Sequence, residues 1–178
     1  MNKTSRIADL IRTIPNFPKE GILFRDVTGI FDAPLGLKQT VDEMCEILEG
    51  LEFERIAAPE ARGFIFASAL ASRLGKAFVP VRKPGKLPRA TVSEDYDLEY
   101  GTSTLHVHSD AITPGDRVVV IDDLLATGGT AAAAARLIER LGGKVVKMIF
   151  PVELEGFGAR SNALANWSVS SLVKYPGK

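Results

Sequence analysis

The sequence has 178 residues, 46% of them apolar and 25% charged, and its 22 basic side chains are cancelled by 22 acidic ones. That length suits one domain with a sizeable core, and the balance of charge supplies no field to hold nucleic acid or an anionic membrane. No apolar run reaches the roughly 20 residues of a membrane span, Asp9 falls where a signal peptide would be apolar, and the single cysteine, Cys45, excludes an internal disulfide and a multi-cysteine metal site. The expectation is a cytoplasmic protein with small-molecule partners, binding neither nucleic acid nor membrane.

Ile7, Leu10, Ile11 and Ile14 share one helical face and predict a short amphipathic helix that Pro15 and Pro18 stop. Leu37, Val41, Met44, Cys45 and Leu48 predict a second helix between Pro34 and Gly50, with Cys45 as a core residue because nothing basic flanks it. From Arg55 the pattern becomes one of βα units. "RIAAP" leads through "EARG" into "FIFASALASRLG" and then "AFVPVRK"; "RVVVIDD" leads through "LLATGG" into "TAAAAARLIERLGG" and then "KVVKMIFPVEL". These four strands are apolar on both faces, as in a parallel sheet covered by helices on both sides. Ala131 to Ala135 favour a helix that lies close to that sheet. Residues 84–116 are polar and turn-rich, and predict an excursion from the sheet with a hairpin around Tyr100 to Val107. The fold class is therefore α/β, a single domain over residues 1–178.

Residues 118–130, "VVVIDDLLATGGT", carry the chemistry. In an open parallel sheet a ligand lies beyond the carboxyl ends of the strands. Asp122 and Asp123 end such a strand, and Ala126, Thr127, Gly128, Gly129 and Thr130 then offer nearly bare backbone N–H groups at the start of a helix, which suits a phosphate. Carboxylates would repel that phosphate, so the aspartates address something else on the same ligand, either sugar hydroxyls or a divalent cation. A phosphorylated ribose has both parts. The loop has no lysine of the G-x-x-x-x-G-K-[ST] kind and no G-x-G-x-x-G.

An apolar strand, Asp-Asp and Thr-Gly-Gly-Thr in this order resemble the phosphoribosyl diphosphate (PRPP) motif of the type I phosphoribosyltransferases. "NFPKEGILFRDVTGIF", "ARGFIFASALASRLG", "VRKPGKLP", "LEYG" and "PVELEGFGAR" resemble the adenine-specific branch of that family, and together they span almost the whole chain. The resemblance implies the type I fold, with a flexible hood over residues 84–116 and an N-terminal segment that helps form the base pocket. It implies transfer of the phosphoribosyl group to N9 of adenine with AMP and pyrophosphate as products, Mg²⁺ held mainly through PRPP, and a homodimer. By the same resemblance Glu60, Ala61, Arg62 and Gly63, with Arg82, Lys83 and Lys86, hold pyrophosphate, some of them across the dimer. Leu23, Phe24, Arg25 and Leu154 hold adenine; Glu99 manages the purine proton beside Arg62; and Tyr100 belongs to the lid. A transferase for another base and a PRPP sensor without catalysis are the competing readings. Tight anion loops often store strain, so strained backbone is expected at Glu60–Ala61. His106 and His108 face the same way on a strand but bring no third metal ligand.

Overall fold

The N-terminus is where the structure departs first from the periodicity. In the computed structural model, which describes residues 5–97 and 101–177, Ala8–Leu10 form a single 3₁₀ turn, and strand β1 (Arg12–Pro15) follows and pairs antiparallel with β2 (Leu23–Asp26). The expected helix over Ile7 to Ile14 is not formed. β-Branched Thr13 and Ile14 before Pro15 favour extended backbone, and one turn is enough to bury Ile7 and Ile11 while Ile14 stays exposed.

Helix α1 (Gly29–Asp32) is one turn. Helix α2 (Gly36–Leu48) forms as expected and buries Val41, Met44 and Leu48. Cys45 packs half-buried against the same cluster, and burial pushes its thiol above the ordinary range, so it serves as a small apolar filler. Next come β3 (Arg55–Pro59), α3 (Arg62–Leu74) and β4 (Ala77–Val81), then the hairpin β5 (Thr91–Asp97) and β6 (Thr102–His108). The second unit is β7 (Arg117–Ile121), short β8 (Leu124–Leu125), α4 (Gly129–Arg140) and β9 (Lys144–Leu154), and β10 (Val169–Tyr175) ends the chain.

The central sheet runs β10-β9-β7-β3-β4 with β8 on β9, and every pairing in it is parallel. Strand β10 is an addition to the expected set; its serines and half-buried positions give no apolar run to read. One core cluster lies between the sheet and α2, α3 and the N-terminal segment, and the other between the sheet, α4 and β6. Ala131 to Ala135 are at most 2% exposed, so the small side chains do bring α4 close against the strands. Arg160 ties the loop after β9 to the sheet, donating to both carboxylate oxygens of Glu153 at 2.7 Å and to the Val169 carbonyl at 2.7 Å.

The β5/β6 hairpin is longer than expected and begins at Thr91. Leu105 and Val107 are buried in the core, and reciprocal backbone bonds join Arg82 and His106 at 2.8 and 2.7 Å, so the base of the hood is part of the packed domain. His106 Nδ1 lies 3.0 Å from Thr91 Oγ1 and His108 Nδ1 lies 3.1 Å from Arg89 Nη2. Among the described residues no three His, Cys, Asp or Glu side chains converge on one point, and no helix is long and apolar enough to cross a membrane.

Candidate active site

β3 and β7 are parallel neighbours, so their carboxyl ends deliver Glu60–Ala61 and Asp122–Asp123 to one crevice, with the first turns of α3 and α4 beside them. Asp123 is 7% exposed; its Oδ2 is ion-paired with Nε of Arg62, the first residue of α3. Its N–H donates to Asp122 Oδ1 at 2.9 Å. Gly63 makes this proximity feasible, because a Cβ there would stand 2.9 Å from Asp122 Oδ1 and 3.2 Å from the Ile121 carbonyl oxygen. Burial, and next the charge of Asp123, hold the Asp122 carboxyl well above the usual range. The crevice thus has one carboxylate paired with Arg62 and a second that resists ionising.

Behind the acids, residues 124–131 with Asp122 and Phe150 line a cavity of about 100 Å³, room for one phosphoryl group. Gly128 caps α4 with φ +83° and is packed against Leu164 and Ala159, and Gly129 begins the helix. The free N–H groups of a first helical turn, with the positive end of its dipole, give this space the chemistry that suits an anion. Thr127 and Thr130 stand at the cavity wall as hydroxyl donors.

On the other side of Arg62 the Glu60–Ala61 peptide bond is cis. The Glu60 side chain turns inward. It accepts from Arg82 Nη2 at 3.1 Å and from the Lys83 N–H at 2.5 Å, and Arg82 Nη1 donates to the Lys86 carbonyl at 3.1 Å. Burial alone would raise the Glu60 carboxyl, but the Lys83 N–H and the Arg82 guanidinium outweigh it and hold it below its usual value. Glu60 therefore fixes Arg82 in place at the crevice rim, where Lys83 and Lys86 are exposed.

A second cavity, of about 390 Å³, opens against Arg62 and is lined by Ile14, Phe17, Phe24, Asp26 and Thr28. The Phe17 and Phe24 rings meet edge to face at 5.1 Å. Alternation along β2 sends Phe24 and Asp26 into this space and Leu23 and Arg25 to the opposite face, where Arg25 lies 4.0 Å from the centre of the Tyr175 ring. Asn16 N–H bonds the Ile22 carbonyl at 2.8 Å, so the alternation of an antiparallel ladder turns the backbone N–H and C=O of Leu23 and Arg25 away from β1. Of the expected base-pocket side chains, Phe24 alone is at the cavity wall. Leu23 and Arg25 have backbone to offer, and Leu154 stands beside Tyr175 in the sheet and does not line the cavity.

This arrangement matches known proteins over nearly its whole length. Residues 39–163 match the phosphoribosyl transferase domain family. A relative from Lachnoclostridium phytofermentans, named adenine phosphoribosyltransferase, is 52% identical over 173 residues, covering 97% of this chain and 99% of that one. The chain belongs to the adenine phosphoribosyltransferase family. The solved adenine phosphoribosyltransferase of Thermoanaerobacter pseudethanolicus superposes with a TM-score of 0.92 at 49% identity, covering 97% of this chain and 100% of that one. The Saccharomyces cerevisiae adenine phosphoribosyltransferase, solved with adenine and an imino-altritol bisphosphate, gives 0.87 at 38% identity, covering 93% and 95%. The type I fold expected for the family is the fold observed.

Reading the sequence missed Phe17, Asp26 and Thr28 in the cavity of this phosphoribosyltransferase. Asp26 accepts from the Thr28 N–H at 2.9 Å and from its hydroxyl at 2.8 Å, and these bonds, the N–H foremost, keep its carboxyl below the usual range. The D-x-T spacing two residues after Phe24 was the available signal. Glu99 and Tyr100 lie outside the described residues.

Proposed function

We propose that this chain transfers the 5-phosphoribosyl group of PRPP to N9 of adenine, releasing AMP and pyrophosphate. The observation that carries this reading is the meeting of three dissimilar surfaces at Arg62: an anion cradle of about 100 Å³, a pair of aspartates, and an aromatic-walled cavity of about 390 Å³. The 5-phosphate fills the cradle between Ala126 and Thr130. The ribose hydroxyls take Asp122 and Asp123, which requires Arg62 to leave Asp123 and turn to the pyrophosphate with Gly63, Arg82, Lys83 and Lys86. Adenine stacks on Phe24 and reads the outward backbone groups of β2. The C1–O bond to pyrophosphate then breaks as the bond to N9 forms, and Glu99 takes the proton that N9 gives up.

Two carboxylates are too few for a protein-built magnesium site, and the chemistry fits a Mg²⁺ that arrives on the oxygens of PRPP. Bound there, it would neutralise charge on the departing pyrophosphate. The reading further includes a homodimer in the cytoplasm, in which exposed Lys83 or Lys86 of one copy serves the site of the other.

An acceptor set built for a 6-amino group faces a 6-oxo base without a donor, a mismatch of several kcal/mol in a buried site. Purified protein given PRPP, Mg²⁺ and a panel of adenine, hypoxanthine, guanine and xanthine is therefore expected to consume adenine alone; a preference for xanthine or hypoxanthine would overturn the base assignment. Phe24→Ala removes the stacking surface, which is worth about 1–3 kcal/mol per base. The KM for adenine should rise on the order of tenfold with the KM for PRPP nearly unchanged.

A further inference from the structure

Strand β5 is attached to the domain in an unusual way. None of its residues is fully buried, in contrast to Leu105 and Val107 of β6; Val92 and Tyr96 pack half-buried against the core, and the strand's ion pairs run to α4. There, Arg136 and Arg140, one helical turn apart, both reach Glu94. Arg136 Nε donates to Glu94 Oε1 at 2.5 Å, Arg140 Nη2 is ion-paired with Oε2, and Arg140 Nη1 donates to the Ser93 carbonyl at 2.6 Å. The Glu94 side chain is only 16% exposed between two arginines that are 45% and 49% exposed.

Three residues further along β5, roughly 10 Å at strand rise, the strand passes over the other end of the same helix. A Cβ on Gly129 would stand 3.2 Å from the Asp97 carbonyl oxygen and 3.7 Å from the Tyr96 ring, so these two residues pack directly on Gly129, which itself lines the anion cradle. One helix thus carries the cradle at its start and a two-arginine clamp further along, and a single strand runs from the clamp to the cradle.

We propose that Glu94 is a positioning residue for PRPP: clamped by Arg136 and Arg140, it sets the height of Tyr96–Asp97 over Gly129 and so the shape of the phosphate cradle. Its kinetic consequence rests on the proposed transfer reaction; its consequence for binding does not. The clamp acts on the cradle and leaves the adenine cavity alone, whose lining comes from β1, β2 and the segments flanking β2, and from Arg62.

The test compares wild type with Glu94→Gln, with the Arg136→Gln, Arg140→Gln pair, and with all three combined. Calorimetric titration with PRPP and Mg²⁺ gives Kd, and initial rates give the KM for each substrate. Glu94→Gln and the arginine pair should each weaken PRPP about fivefold in Kd and KM, and the triple variant should be no worse, since all remove one clamp. The KM for adenine should hold, and the melting temperature should move by less than about 3 °C, as ion pairs made by half-exposed arginines predict. An unchanged PRPP Kd, losses that add in the triple variant, or an equal rise in both KM values would each overturn the proposal. Should Glu94→Gln fail to fold, Arg140→Gln alone carries the same comparison. Wild type that binds PRPP yet makes no AMP would defeat the proposed reaction while the Kd series still decides the clamp; wild type that does not bind PRPP defeats both.

Discussion

Asp122→Asn is expected to raise the melting temperature of the ligand-free protein at pH 7.5, while weakening PRPP and slowing AMP formation on the order of 100-fold. The cause is the environment of this half-buried carboxyl, where desolvation and next the Asp123 charge hold its pKa well above the usual range. The amide oxygen can still accept the Asp123 N–H that Asp122 Oδ1 accepts at 2.9 Å. What is lost is the bond to a ribose hydroxyl that the carboxyl makes once the ligand draws it into its ionised form, and Asp123→Asn added to it should take the rate down about a further tenfold.

The sign with pH follows from linkage. Between the ordinary carboxyl pKa of about 3.9 and the raised folded value, the folded protein keeps a proton that the unfolded chain has released. Asp122 therefore costs stability progressively as pH rises through that window, and the advantage of the Asn variant should shrink towards zero near pH 4. Glu60 and Glu153 have the opposite sign: their folded values are depressed, so their contribution is complete above the unfolded value of about 4.3 and is lost as pH falls through the folded one. Wild type and variant share these groups, so melting curves compared at each pH isolate Asp122. A variant that is less stable at pH 7.5, or a difference that does not change with pH, would refute this reading of the site. Stability given up for function at one residue is the usual signature of a binding group held ready for a ligand.

Gly128→Ala should damage binding by a steric route. The φ of +83° is one that L-residues rarely adopt, and the added Cβ would stand 3.0 Å from Leu164 Cγ and 3.2 Å from Ala159 Cβ. Relief requires the loop to move away from the core, which opens the cradle between Thr127 and Thr130. Backbone and contact together should cost about 2 kcal/mol of stability, and the KM for PRPP should rise at least about tenfold. Adenine should protect this variant from heat no less than it protects wild type. A normal PRPP KM would show that the loop tolerates the shift and that the backbone of Gly128 does not shape the phosphate site.

The parallel sheet and its two βα turns were legible in the sequence because β3 and β7 are short apolar runs that meet an acid, Glu60 or Asp122, before a Gly-containing turn, and because Ala131 to Ala135 have one economical use. The cradle was legible for the same reason: Thr-Gly-Gly-Thr after a strand admits few other geometries. The N-terminal hairpin was not, since Ile7, Leu10, Ile11 and Ile14 fit a helix equally well, and only β1 pairing with β2 decides for strand. Nor could spacing show that Arg62 rests on Asp123 or that Glu60 serves Arg82, because those partners are far apart in sequence and meet only through the β3/β7 and β3/β4 neighbourhoods. Strand β10 and the placement of Leu154 beside Tyr175 are likewise consequences of tertiary pairing.

The most direct test of the central claim is the stoichiometry of one reaction: initial rates of AMP and of pyrophosphate from adenine, PRPP and Mg²⁺, measured side by side for wild type and for the Asp122→Asn, Asp123→Asn double variant. The account predicts the two products in equal amounts from wild type and a rate about 10³-fold lower from the variant, as two charge-assisted bonds to the ribose would give. Pyrophosphate without AMP, or AMP formed at an undiminished rate by the variant, would contradict it.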